Sequence, residues 1–281
     1  NNQLLQKENV KIPTTWPDFI TAARALTVRD TNGKIKTAGA AIGTYDNITH
    51  APDLISLLLA QNGADSANLS STSKNASDAI DFYTSFVKDD GNVWDDTLDP
   101  SFIAFAKGNA GMYFGYSWDV FGLKAYNPAL EFTVSSVPHL PGRDMTIASY
   151  WVEGVSVKSQ HQKEAMLFMK FLSQKDTQQK LFSEEAKMRQ FGEPFARVDL
   201  AASATDNPAL APFLAQAPHA VSSLFAADTG NTKFNDRINH YLEVAVGGIL
   251  QNTSPDTAIS DLSQGVNEVL SQYGASQTSG N

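Results

Sequence analysis

Cysteine is absent from all 281 residues, which removes disulfides, thiolate metal sites and cysteine nucleophiles together. Its absence leaves the compartment open, although it suits a chain that folds outside the reducing cytoplasm. Long apolar runs are missing too. The longest notable one, residues 54–60, has the length of a core helix and falls far short of the ~20 residues of a membrane span. Positive charge is in the minority, with 21 Lys and Arg against 30 Asp and Glu and a net charge of -9. Nucleic acid and anionic membrane surfaces need clustered Lys and Arg, so neither is an expected partner. The five histidines, His50, His139, His161, His219 and His240, form no H-E-x-x-H motif and no close pair, so neither a metal centre nor a cofactor is expected. No nucleophile elbow and no phosphate-cradling loop occurs, and Gly247-Gly248 sits inside a helical pattern.

What is present is ordinary globular material: 42% hydrophobic and 18% charged residues, with enough length for two lobes. Thr15 caps a helix, Pro17 occupies its first turn, and Phe19, Ile20, Ala23 and Leu26 recur at helical spacing. The turn at 30–34 leads to a strand over 35–42. Pro52 opens a second helix, which ends at Asn62-Gly63. Residues 64–74, rich in Ser and Asn, read as an exposed loop, and 76–87 as a third amphipathic helix. After a helix at 101–107, a strand is expected over 110–114, another over 131–138 and a third over 147–157. Beyond Lys158 the chain reads as mostly helical, closing with helices over 232–251 and 255–273 and a frayed tail at 274–281. Helices and strands mixed throughout make this an α/β protein.

The run from 101 to 179 carries a further signal. A helix, the Gly108-Asn109 turn and the 110–114 strand lead into Gly115-Tyr116-Ser117-Trp118-Asp119. Then come Tyr150-Trp151-Val152-Glu153-Gly154 and an amphipathic helix over 163–172. In this order and spacing the chain resembles the family 1 extracellular solute-binding proteins, the carbohydrate receptors of ABC importers. The opening, with Asn2-Gln3-Leu4-Leu5 followed by Pro13-Thr14-Thr15-Trp16, resembles a segment that lies well inside members of that family. The resemblance implies the bilobal, type II periplasmic-binding architecture, represented mostly by the C-terminal lobe plus the segment returning to the N-terminal lobe. Residues 1–149 would form most of the second lobe, 150–200 the hinge crossing and helices of the first lobe, and 201–273 helices packing mainly on the second. Most of the N-terminal lobe is expected to lie outside the chain and to be a partner of it. The apolar residues Leu167, Phe168, Phe171 and Leu172 would then be left exposed.

The resemblance also implies a function and a site. Trp118 follows its strand where the family's sugar-stacking tryptophan follows its own; alternatively, it is a core residue at a helix start. Tyr116 adds a second ring or fills space, and Asp119 offers a carboxylate to hydroxyls. Tyr150, Trp151 and Glu153 replace a glycine pair that the family commonly carries here. They would stack and hydrogen-bond one sugar unit, or else Trp151 packs in a strand and Glu153 is solvated. Arg197 could present its planar fork to hydroxyls, although a structural salt bridge is the commoner role. Phe234 and Asn235 fall near another ligand-facing aromatic of the family. The expected role is capture of a sugar or oligosaccharide in an inter-lobe cleft, without catalysis, and delivery to ABC importer membrane subunits. A monomer, periplasmic or extracellular, is expected, with a lipid anchor to the membrane surface left open. The rival readings are a carbohydrate-active enzyme, for which Asp119, Glu153 and Glu193 supply carboxylates, and a structural or adhesive protein on the same fold. The four Asn-x-Ser/Thr sequons read as chance, and Met166 and Met169 as core.

Overall fold

The structure is a computed structural model that describes residues 1–88, 91–227 and 233–273. The expected tail and the first residue of the expected 232–251 helix lie outside the described residues.

After a short helix α1 (Asn2–Lys7), the chain enters α2 (Trp16–Leu26) through a side-chain cap. The Thr15 hydroxyl accepts from the Asp18 amide at 3.3 Å and donates to the Asp18 carboxylate at 2.8 Å. Pro17 costs nothing in a first turn, where its missing N–H would be unpaired anyway. The helix buries Trp16, Phe19, Ala22, Ala23 and Leu26 on one face.

β1 (Val28–Arg29) turns back antiparallel onto β2 (Ile35–Ala40), which pairs parallel with β3 (Ala110–Met112) through Ala38 with Ala110 and Ala40 with Met112. Small residues along β2 let α2 come close. A Cβ on Gly39 would fall 1.7 Å from the Ala23 carbonyl oxygen, so only glycine fits there. The crossover between the parallel strands carries α3 (Ala51–Gln61), α4 (Ser73–Lys88) and α5 (Ser101–Ala106).

α6 (Asp119–Tyr126) comes after β3, and β4 (Thr146–Ile147) pairs parallel with the distant β5 (Ala220–Val221). Between these two strands lie α7 (Gln162–Leu172), α8 (Lys175–Glu185) and α9 (Ala211–Gln216). The last helices, α10 (Phe234–Leu250) and α11 (Pro255–Gln272), pack on each other and on α4. Three cores result. The largest joins α2, α3, α4, α10 and α11 through residues such as Phe19, Leu58, Tyr83, Leu242 and Leu262. A second surrounds Trp94 between β2, β3, α5 and Leu123 of α6. A third sets Val120 of α6 against Phe191, Leu210 and Leu214.

Several expectations are corrected. Residues 131–138 form no strand: among the described residues no neighbouring backbone offers a ladder, and the Val137 amide donates instead to the Gln216 side chain at 3.1 Å. Of the 147–157 strand only Ile147 pairs, because β5 is two residues long and no described strand lies beside residues 149–157. The 64–74 loop contains a 3-10 turn, Leu69–Thr72, anchored by buried Leu69. Neither methionine is core: Met169 is half-buried on α7, and Met166 is exposed together with Leu167, Phe168 and Phe171, which keep the exposure expected of them, whereas Leu172 is half-buried.

Candidate functional site

β3 ends just before Tyr113, and the chain then turns through Gly115 and Tyr116 into α6. Gly115 is required where it stands, since a Cβ there would lie 2.6 Å from both the Asp119 carboxylate and the Tyr113 ring. That carboxylate reaches back over the helix start. Its Oδ2 accepts from the Tyr116 amide at 3.0 Å and from the Tyr113 hydroxyl at 3.1 Å. An anion held at a helix N-terminus is also favoured by the helix dipole.

The third group on Asp119 Oδ2 comes from the residue just before α3. His50 Nε2 lies 2.7 Å from it, so the residue preceding α3 spends its imidazole on α6 and makes no side-chain cap of its own helix. One turn on, Asp53 Oδ2 faces His50 Nδ1 at 3.9 Å, and Asp53 Oδ1 accepts a short hydrogen bond from the Tyr116 hydroxyl. Tyr116 in turn stacks on Trp118, with ring centroids 4.4 Å apart and planes 19° from parallel. One relay thus runs from Trp118 through Tyr116, Asp53 and His50 to Asp119.

Burial and charge act together on these groups. For His50, burial disfavours the imidazolium, but the Asp119 hydrogen bond and the charges of Asp119 and Asp53 outweigh it and raise its pKa above the ordinary histidine value. Burial raises the Asp53 carboxyl, against the opposing pull of the Tyr116 hydroxyl and His50. The hydroxyls of Tyr113 and Tyr116 are pushed well up by burial and by the neighbouring carboxylates, so both stay protonated donors at any physiological pH.

A cavity of about 210 Å³ opens beside the relay. His50, Asp53, Tyr116 and Asp119 are among its polar lining, with Thr133, Ser135 and Gln216, and Phe105, Phe132 and Phe213 are among its apolar wall. Polar groups converging on a mostly apolar concavity are the usual form of a small-molecule site.

Of the residues expected from sequence, Tyr116 and Asp119 line the cavity, whereas Trp118 stacks on Tyr116 and does not itself line it. Trp118 remains 40% exposed, which removes the alternative of a core tryptophan. Tyr150, Trp151 and Glu153 lie outside the cavity on exposed backbone. Trp151, 93% exposed, does not pack in a strand. Arg197 is half-buried and paired with Asp199 at 2.9 Å, and it also donates to the Ser173 carbonyl. Phe234 meets Tyr273 edge-on, while buried Asn235 donates to the Leu224 carbonyl at 2.9 Å; neither lines the cavity. His50, Asp53 and Tyr113 were not legible as site residues. The available signal was His50-Ala51-Pro52-Asp53, a histidine and a carboxylate one turn apart at a Pro-marked helix start.

Residues 1–212 match the family described as bacterial extracellular solute-binding protein. The chain belongs to that family. No characterised protein sequence matches it. Among solved structures, this solute-binding protein is similar to an ABC transporter solute-binding protein from Thermotoga lettingae bound with α-D-tagatose, at 19% identity and a TM-score of 0.70. That match covers 96% of this chain and 69% of the other. A cyclo/maltodextrin-binding protein complexed with maltotetraose matches at 16% identity and a TM-score of 0.69, over 98% of this chain and 68% of that one. UgpB from Mycobacterium tuberculosis in complex with glycerophosphocholine matches at 15% identity and 0.63, over 97% and 68%.

These likenesses establish the fold: α/β, of the type II periplasmic-binding class, and a part of the two-lobe structure. Family membership places the solute-binding protein among extracytoplasmic substrate binders. Among the described residues no helix is long and apolar enough to cross a membrane.

Proposed function

We propose that this solute-binding protein is the capture component of an ABC importer and takes a sugar or oligosaccharide without chemically changing it. The observation that carries the reading is Tyr116, which lines the cavity beside the Asp53–His50–Asp119 relay and carries the Trp118 ring stacked on its own. A sugar offers flat C–H faces to aromatic rings and a rim of hydroxyls to carboxylates. Asp53 keeps Oδ2 and Asp119 keeps Oδ1 outside the hydrogen bonds of the relay.

The same geometry weighs against a glycosidase. Hydrolysis needs two carboxyl groups on opposite sides of the scissile bond. Asp53 and Asp119 instead share one histidine on one wall, and Glu153 and Glu193 stand outside the cavity.

In the proposed organisation, residues 1–149 and 201–273 belong to the second lobe and 150–200 to the hinge crossing and the first lobe. Two features support it: α10 and α11 share the core of α2, α3 and α4, and α7 turns an apolar face outward. That face is assigned to contact with the first lobe, and capture to closure of the two lobes about the hinge. Delivery to the importer's membrane subunits, action as a monomer, and a place in the periplasm or at a lipid-anchored cell surface complete the proposal.

A thermal-shift screen against tagatose, maltotriose and mannotriose, with Trp118→Ala alongside, tests it. Stabilisation that saturates with ligand and is lost in Trp118→Ala is the expected result. A shift that Trp118→Ala leaves intact would move the site elsewhere, and reducing-sugar release from an oligosaccharide would replace the receptor by an enzyme.

A further inference from the structure

His50 joins two helix starts. Asp53 faces it from the first turn of α3, Asp119 from the first residue of α6, Tyr113 from the end of β3, and Tyr116 from the loop between. Tyr45 lies farther out, within the field of Asp53. Among the described residues, His50 is the one basic side chain at ion-pair distance from either carboxylate.

The two nitrogens do different work. A carboxylate oxygen 2.7 Å from Nε2 favours the tautomer with a proton on that nitrogen, so Nε2–H donates to Asp119 whether or not Nδ1 is protonated. Nδ1 can attract Asp53, 3.9 Å away, only when it too carries a proton. In a neutral imidazole Nδ1 presents a lone pair to a carboxylate, and the two aspartates face each other without a cation between them. Asp53 is also the acceptor for the Tyr116 hydroxyl, and the Tyr116 ring carries Trp118. A change at Nδ1 therefore has a direct mechanical route to the ring pair.

We propose that His50 is a positioning residue: as an imidazolium it clasps Asp53 to Asp119 and holds the Tyr116–Trp118 pair in place, and on losing its proton it loosens that pair. The clasp itself needs no ligand; its effect on capture rests on the proposed role of the rings. The raised pKa of His50 fits the arrangement, since the protonated form is the one that the two carboxylates favour.

The sequence supplies a reporter. Of the four tryptophans, Trp16 and Trp94 are buried, whereas Trp118 and Trp151 are exposed. In a Trp151→Phe background, acrylamide quenching therefore reads Trp118. The quenching constant is expected to rise between pH 5.5 and 9 with a midpoint above ~6.5, the ordinary histidine value. His50→Gln, which keeps a donor for Asp119 but cannot gain charge, is expected to abolish the titration while melting cooperatively. Asp53→Asn removes one of the charges that favour the imidazolium and is expected to lower the midpoint. A quenching curve flat in the parent, or unchanged in His50→Gln, would overturn the clasp. Titrating tagatose, mannotriose and maltotriose into the same proteins keeps the two readings apart. A quenching titration with no response to these sugars would support the clasp and count against the sugar assignment. A sugar response with flat quenching would do the reverse.

Discussion

Trp16 Nε1 donates to Gln61 Oε1 at 2.7 Å across the α2–α3 interface, and the Gln61 amide nitrogen donates onward to the carbonyls of Pro138 and Met145 at 3.0 and 2.9 Å. One buried side chain thus ties two helices to the irregular segment that leads into β4. Gln61→Ala would leave an indole N–H and two carbonyls without partners, each loss costing on the order of 1–3 kcal/mol before relaxation. Urea denaturation is expected to show a loss of at least about 2 kcal/mol. A change below ~0.5 kcal/mol would mean that water replaces all three bonds.

Gly39→Ala is expected to be among the most damaging single changes. Its new methyl would meet the α2 backbone at the Ala23 carbonyl, 1.7 Å away, and backbone cannot swing aside as a side chain can. Overpacking of a core costs roughly 1–3 kcal/mol even where side chains adapt, so poor yield or a sharply lowered melting temperature is expected. A variant melting with the parent would show that α2 and β2 are farther apart than this geometry has them.

Two phenylalanines test the two kinds of apolar surface. Phe191 is buried in the small core beside α6, whereas Phe168 is 59% exposed on α7. Phe191→Ala should cost about 3–5 kcal/mol and Phe168→Ser no more than about 0.5 kcal/mol, both read by chemical denaturation of this chain. Equal costs would mean that α7 is covered within this chain.

Stability should also respond to His50. Its folded-state pKa is raised, first against burial and then by the Asp119 bond and the two carboxylate charges. The imidazolium therefore contributes stability that is fully present below its unfolded pKa of ~6.5 and lost as pH rises through the higher folded value. Asp53, with its carboxyl also raised, acts at lower pH: its contribution weakens as pH climbs from its unfolded value through its folded one. Denaturation midpoints measured across pH 6–9 should fall with pH in the parent and fall less in His50→Gln. A parallel fall in both would assign the effect to other groups.

Much of the architecture was legible because local rules and tertiary demands agreed. Thr15, Pro17 and Asp18 mark the start of α2, and its apolar spacing marks the buried face. Pro255 marks the start of α11 in the same way, and the structure adds a cap from the Ser254 hydroxyl. The strands were less legible. Residues 131–138 alternate as a strand should, yet a strand exists only where a neighbour supplies a ladder, and alternation cannot show that neighbour. Within the site, Trp118 and Tyr116 stood out as aromatic residues in one loop with Asp119. His50 and Asp53 did not, because His50 reaches Asp119, and Asp53 reaches Tyr116, from the start of α3, more than sixty positions away, and a distance in sequence carries no sign of a contact in space.

The parallel pairing of β2 with β3, and the packing of α4 under α10 and α11, have a consequence for how the chain comes to be folded. The core that α2, α3 and α4 share is completed only by α10 and α11. As the polypeptide emerges, the part of α4 that packs on α10 and α11 must wait for those helices to arrive. Contacts between such distant parts of a chain form slowly, and unfinished surfaces invite association. The interval between making α4 and making α11 is therefore when this protein most needs either a chaperone or a dilute surrounding.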